Sequence, residues 1–147
     1  MDARQAIQQQ AVTLLSRREY SARELQRKLE ASHDSELVTE VVEALQGQGL
    51  QSDERFAEVW TRHRVMQGYG PHRLQVELRQ KGIAGELIQQ CLQSESLDWF
   101  ELAKAAYERK FGGRPARDPR EKAKQIRFLQ YRGYSGDQIR FAMESAE

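Results

Sequence analysis

The run KQIRFLQYRGY, from Lys124, sets Arg127, Tyr131 and Tyr134 at spacings of four and three. On a helix continuing through the run, these side chains would share one flank. Arginine and tyrosine together are anchors of protein interfaces, and they also stack on nucleic-acid bases. The competing assignment places Phe128 and Tyr131 in a core and leaves the arginines as solvated surface. Catalytic chemistry finds no comparable constellation. His33, His63 and His72 have no Cys or carboxylate at a recurring ligand spacing, so no metal site is predicted. Cys91 lies on an apolar stripe with Leu87, Ile88 and Leu92 and reads as a small core residue rather than a nucleophile. FGGRPARDP, from Phe111, lacks the Lys-Ser/Thr of a phosphate loop and reads as a helix stop followed by a linker. No catalytic residue, cofactor or small-molecule substrate is expected.

The surrounding chain must supply helices to position such groups. Its 147 residues carry 39% hydrophobic and 31% charged side chains with only 3 prolines, a globular composition rich in helix formers. No segment approaches the roughly 20 apolar residues that span a bilayer, and the single cysteine fits a reducing compartment. A soluble, cytoplasmic protein is expected, with no membrane partner. The net charge of +1 conceals an asymmetry: Ala103 to Arg132 holds ten basic residues against three acidic ones, so this segment is +7 and the remainder −6. Such a segment suits a polyanion or an acidic protein surface.

The phrase LRQKGIAGELI, from Leu78, is echoed by LQYRGYSGDQI, from Leu129. If Gly82 and Gly133 each follow a helix in the left-handed conformation, Leu78 and Ile83, then Leu129 and Tyr134, make the apolar contact of a Schellman ending. Upstream, Gly70-Pro71 and Asp118-Pro119 each place proline at the first helical position, and Glu121 is expected to complete a capping box with Asp118. Ser135 and Gln138 form another box. A third, fainter copy aligns Tyr20-Ser21 with Tyr69-Gly70, Leu25 with Leu74 and Leu29 with Leu78; Ser21 and Glu24 box its helix, but His33 stands in place of Gly82.

Each copy is preceded by a helical pattern: AIQQQAVTLLSRR, ERFAEVWTRHRVMQ and WFELAKAAYERKF. In the second, Phe56, Val59, Trp60, His63 and Met66 form the predicted stripe. Closing helices follow at Leu37–Leu45, Leu87–Leu92 and Ile139–Met143. The prediction is an all-α protein of three tandem three-helix repeats, 1–50, 51–95 and 96–147, in an elongated, curved arrangement suited to an extended partner. A compact nine-helix globule is the alternative.

Several features in order resemble the bacterial RecX family of regulators of the RecA recombinase. They are Phe56-Ala57, the turn Gly68-Tyr69-Gly70-Pro71, the run Glu77-Leu78-Arg79-Gln80-Lys81-Gly82-Ile83, and Arg132-Gly133-Tyr134. The resemblance covers nearly the whole chain. It implies a non-enzymatic regulator that binds along the groove of the RecA–DNA filament and limits filament extension, ATP hydrolysis, strand exchange and coprotease activity, with weak nonspecific DNA binding. That role would place the chain in homologous recombination, DNA repair and the SOS response. Ser52-Asp53-Glu54 stands where the family often has paired aspartates, and is expected to preserve helix capping and little more. Tyr69, Arg73 and Lys81 of the middle repeat, with Arg127 and Arg132 of the third, are the candidate partner contacts, in a protein expected to be a monomer. The alternative is a direct nucleic-acid-binding helical module, favoured by the +7 segment but opposed by the near-neutral whole and the absence of a clear recognition helix.

Overall fold

A computed structural model describes residues 1–145. Among these residues there are nine helices and no strand. The first repeat holds α1 (Ala3–Arg17), α2 (Ala22–Glu30) and α3 (Ser35–Gly47), and the second α4 (Asp53–Met66), α5 (Pro71–Gln80) and α6 (Gly85–Leu92). The third holds α7 (Trp99–Phe111), α8 (Pro119–Arg132) and α9 (Gly136–Glu144). None of them is long and apolar enough to cross a membrane.

Helix starts follow from side chains that satisfy the otherwise orphaned first-turn N–H groups. Ser21 and Glu24 bond reciprocally at 3.1 Å in both directions before α2, and Ser135 with Gln138 does the same before α9. Asp118 accepts the Glu121 N–H at 2.8 Å. The reciprocal half expected of Glu121 is not made. Its carboxylate instead accepts from the Arg117 guanidinium at 3.1 Å, because a cationic donor outcompetes the neutral Asp118 N–H.

Helix stops follow the repeat. Ile83 donates to the Leu78 carbonyl and Gly82 to that of Arg79, both at 3.0 Å, with Gly82 at φ +81°. Tyr134 and Gly133 repeat the pattern onto Leu129 and Gln130 at 3.2 and 3.0 Å, with Gly133 at φ +100°. These are the two bonds of a Schellman ending. Near His33 the chain takes another route. No described non-glycine residue has positive φ; α2 ends in right-handed backbone at Ala31, and the His33 ring meets Gln10 at 2.9 Å.

The chain divides into two compact units. The first comprises Met1–Trp60 with Leu78–Ile88, the second Thr61–Glu77 with the chain from Gln89 on. In the first, Ile7, Ala11, Leu14, Tyr20, Leu25, Leu29, Val38, Val41, Val42 and Leu45 pack as one cluster across α1, α2 and α3. Ser52 caps α4, its Oγ accepting the Arg55 N–H at 3.1 Å, while Asp53 has a further role: its Oδ1 accepts the Ala22 N–H at 2.9 Å and the Gln51 amide at 3.0 Å, fastening the first turn of α2. In the second, Ala103, Ala106, Tyr107, Leu129, Tyr134, Ile139, Ala142 and Met143 form the core, with Phe111 edge-on to Phe128. The stripe expected on α4 is displaced. Phe56, Ala57 and Thr61 are buried, whereas Val59, His63 and Met66 are exposed, because the buried face is centred one step further round the helix.

Each unit contains the same joint, a glycine stop seated on the first turn of another repeat's second helix. In the first unit a Cβ on Gly82 would lie 2.9 Å from Arg23 Cβ, and Lys81 Nζ reaches Glu24 at 2.8 Å. Burial would raise the Glu24 carboxyl, but the Lys81 ammonium and the Ser21 N–H hold it below the usual carboxylate range. In the second unit Gly70 N–H donates to the Arg132 carbonyl at 2.7 Å and His72 N–H to that of Gly133 at 3.0 Å. A Cβ on Gly70 would lie 2.6 Å from the Gly133 carbonyl carbon, and one on Gly133 would lie 2.7 Å from the Arg73 nitrogen. Gly133→Ala therefore combines the left-handed penalty with a backbone clash. It is expected to lower the unfolding free energy by about 2–4 kcal/mol in urea titration. Gly112→Ala, at φ +69° with open space around it, should cost about 1 kcal/mol; equal losses would refute the close-packed joint.

Candidate functional site

The second unit's joint gathers arginines. Arg64 comes from the last turn of α4, Arg73 from the first turn of α5, and Arg132 from the end of α8, while Tyr69 lies in the turn between α4 and α5. The guanidinium carbons of Arg64, Arg73 and Arg132 lie 3.9, 4.4 and 4.8 Å from the centre of the Tyr69 ring. Each such contact contributes roughly 0.5–2 kcal/mol according to its desolvation. Glu77 is the carboxylate among them. It takes Arg64 in a two-point pair at 3.0 and 2.7 Å and Arg73 Nε at 3.2 Å. Burial opposes the charge on Arg73, but Glu77, the Tyr131 contact and Tyr69 hold its pKa above the ordinary arginine value.

Arg132 Nη1 donates to the Gln67 carbonyl at 2.9 Å and its guanidinium also faces Phe128 at 5.0 Å. Arg109 and Lys110 of α7 line the adjoining cleft with Gly68, Phe128 and Arg132. Glu77 pairs with Arg64 and Arg73, so with Arg132 and Arg109 alongside this face keeps a surplus of positive charge. Tyr131 projects from it, 74% exposed, with Arg73 5.1 Å from its ring and donating to its carbonyl at 3.3 Å. This arrangement offers a flat aromatic surface and cationic donors to an anionic partner. Among the described residues no cluster of three or more His, Cys, Asp or Glu side chains is placed to hold a metal.

Of the five contacts expected from the sequence, Tyr69, Arg73 and Arg132 are brought together here. Arg127 stands exposed on α8 and lines a different cleft, with Phe111, Arg117 and Arg120. Lys81 belongs to the first unit, where it is engaged by Glu24 and lies 5.1 Å from the Trp60 ring. Arg64, Glu77 and Arg109 were not among those expected contacts, although Arg64 stands just upstream of the Gly68–Pro71 turn and Glu77 lies one helical turn beyond Arg73. Tyr131 is surface rather than core, and Tyr134 does not share its flank. The Gly133 stop turns Tyr134 inward, to 4% exposure, where its hydroxyl donates to the Gly68 carbonyl at 2.9 Å.

Residues 52–92 match the family model described as RecX, second three-helix domain, and residues 97–143 that of RecX, third three-helix domain. The chain belongs to the RecX family. It is 44% identical over 146 residues to the regulatory protein RecX of Halorhodospira halophila, covering 99% of this chain and 91% of that one. The Vibrio parahaemolyticus protein of the same name is 44% identical over 135 residues, covering 90% and 86%. The crystal structure of RecX from Lactobacillus salivarius shares the fold, with a TM-score of 0.81 at 20% identity over 99% of this chain and 97% of that one. A further RecX crystal structure has a TM-score of 0.80 at 24% identity, covering 97% and 72%. As a RecX-family member the protein falls in a class of regulators rather than of known enzymes.

Tyr134 gives this site a pH signature. Burial pushes its hydroxyl up to about 12 against the pull of Arg132 and Arg109. A group raised in the folded state contributes stability that is complete below its unfolded value near 10 and lost as pH climbs towards 12. Tyr134→Phe is expected to flatten the fall in stability across that interval in chemical denaturation. An unchanged slope would show that Tyr134 is not the group responsible.

Proposed function

We propose that the protein regulates a RecA-type recombinase. It binds along the groove of the recombinase filament on DNA and mainly inhibits it, limiting filament extension and with it ATP hydrolysis, strand exchange and coprotease activity. It works in the cytoplasm as a monomer, within DNA repair and the SOS response, and its repeats 1–50, 51–95 and 96–147 are its modules. The observation carrying this reading is the exposed Tyr131 beside a face of surplus arginine in a member of the RecX family. Tyr69, Arg73 and Arg132 build that face, and Arg127 and, in the first unit, Lys81 are further contacts of the same reading. Association depends on an aromatic anchor and charge complementarity rather than on a pocket.

The second reading, a direct nucleic-acid-binding module, is favoured by the +7 segment from Ala103 to Arg132. It predicts tight binding to bare DNA with a steep dependence on salt. The filament reading requires only weak, nonspecific DNA affinity.

The two part in one assay. ATP hydrolysis by the matched recombinase on single-stranded DNA is followed while this protein is added to formed filaments, with a DNA-only binding control at the same salt. Suppression is expected at amounts far below those that coat the bare DNA. Absence of suppression together with salt-sensitive DNA binding would overturn the filament reading. Arg127→Glu with Tyr131→Ala, two exposed positions, should raise the amount needed by about tenfold while the helical circular-dichroism signal is retained. Charge reversal at both Arg127 and Arg132 should also weaken inhibition, but Arg132 holds the Gln67 carbonyl, so its loss reads stability as well.

A further inference from the structure

Two of the arginines gathered on the Tyr69 ring share a carboxylate of their own chain. Glu77 takes Arg64 at 2.7 Å and Arg73 at 3.2 Å. Arg132 lies against the same ring, but its company is different. Its Nη1 and that of Arg109 converge on Gly68, 3.5 and 3.8 Å from the point that a Cβ there would occupy. Lys110 stands beside them: it and Arg132 face the Phe128 ring at 5.4 and 5.0 Å. Among the described residues none of these three cations makes an ion pair, and no carboxylate lines the cleft they edge. Like charges brought this close repel, and the Gln67 carbonyl on Arg132 and the Phe128 ring offset only part of that cost.

The cleft is built from both sides within the second compact unit. Phe128 is held edge-on by Phe111 at 5.4 Å and makes a fixed apolar wall together with Ala106. Gly68, at φ +90°, is a position for glycine, and its lack of a side chain leaves the approach between the two guanidinium groups open. Its carbonyl is taken from the core by the Tyr134 hydroxyl at 2.9 Å, so the floor presents no competing acceptor bond to the arginines. The volume, about 170 Å³, admits one side chain with a short apolar stem and a charged end. A phosphodiester would have to bring in a sugar on each side.

We infer that this cleft receives a single carboxylate side chain, glutamate or aspartate, from the surface of the partner protein, with Arg109 and Arg132 as paired donors and Lys110 as a further charge. The contact repeats between chains what Glu77 does within one. It rests on the filament reading for the partner's identity and adds the group that is recognised. Planar guanidinium donors match the two oxygens of a carboxylate, and apolar walls strengthen the attraction by excluding water.

The experiment measures binding of the full chain to recombinase filaments assembled on single-stranded DNA, beside binding to the bare strand at the same salt. Arg109 is the position to change, because it is exposed and among the described residues makes no hydrogen bond that the fold needs. With the helical circular-dichroism signal retained, Arg109→Gln should weaken filament binding by about tenfold. Arg109→Glu should weaken it further, since its own carboxylate would then engage Arg132 and Lys110. Arg109→Lys keeps the charge without the fork and should fall between Arg109→Gln and the unaltered chain. In that variant carbodiimide coupling should join the amine at position 109 to an aspartate or glutamate of the recombinase, in higher yield than at the exposed Lys28 of the first unit. Unchanged filament binding by Arg109→Gln and Arg109→Glu, or coupling no greater than at Lys28, would overturn the carboxylate site and leave the filament reading standing. An equal loss on the bare strand would also overturn it, giving the cleft to phosphate. Failure of the unaltered chain to bind filaments would overturn both.

Discussion

The second compact unit depends on two glycines whose backbones touch. Gly70 N–H meets the Arg132 carbonyl and His72 N–H that of Gly133 at distances that leave no room for a Cβ on either glycine. The contact joins the two unsatisfied ends that every helix carries, donors at the start of α5 and acceptors at the end of α8. Two backbone hydrogen bonds pair donors of one end with acceptors of the other. The first compact unit makes the corresponding joint by other means, with Lys81 on Glu24 where the second has backbone on backbone. Glycine is therefore required twice over at position 133, once for its φ and once for its size.

This joint is also why the arginines converge. Bringing the end of α8 against the turn before α5 places Arg132 over a tyrosine that Arg64 and Arg73 already flank. Tyr69 accepts them on its π-system and Glu77 balances part of their charge, so the cluster is stable without being neutral. The hydroxyl of Tyr134 pins the same turn from inside through the Gly68 carbonyl. Core and surface are thus linked by one short segment, Gly68 to Gly70. Outward-facing Tyr131 lies beside that segment, with Arg73 donating to its backbone carbonyl.

Much of the local architecture was legible in the residues. Proline at the first position of α5 and α8, the boxes at Ser21 and Ser135, and the glycine stops act over four or five residues, a range sequence spacing reports directly. The failures were competitions between nearby partners. Glu121 had the right position for a box with Asp118, yet Arg117 offered it a stronger donor. On α4, short apolar spacing indicated a stripe through Met66, although the helix buries Ala57 and Thr61 instead, because small residues seat closest to a neighbour.

The sequence by itself determined an all-helical chain of three related three-helix repeats, since capping, stops and apolar periodicity are properties of neighbouring residues, and its ordered motifs carried the resemblance to the RecX family. Only the tertiary structure decided which charged groups act together. It gathered Tyr69, Arg73 and Arg132 with the unanticipated Arg64 and Arg109, gave Lys81 to an internal ion pair, and turned Tyr131 out and Tyr134 in. The physical reason is range. Helix signals act within one or two turns, whereas side-chain hydroxyl and guanidinium groups here reach backbone carbonyls sixty-six and sixty-five residues away, which spacing along the chain does not encode.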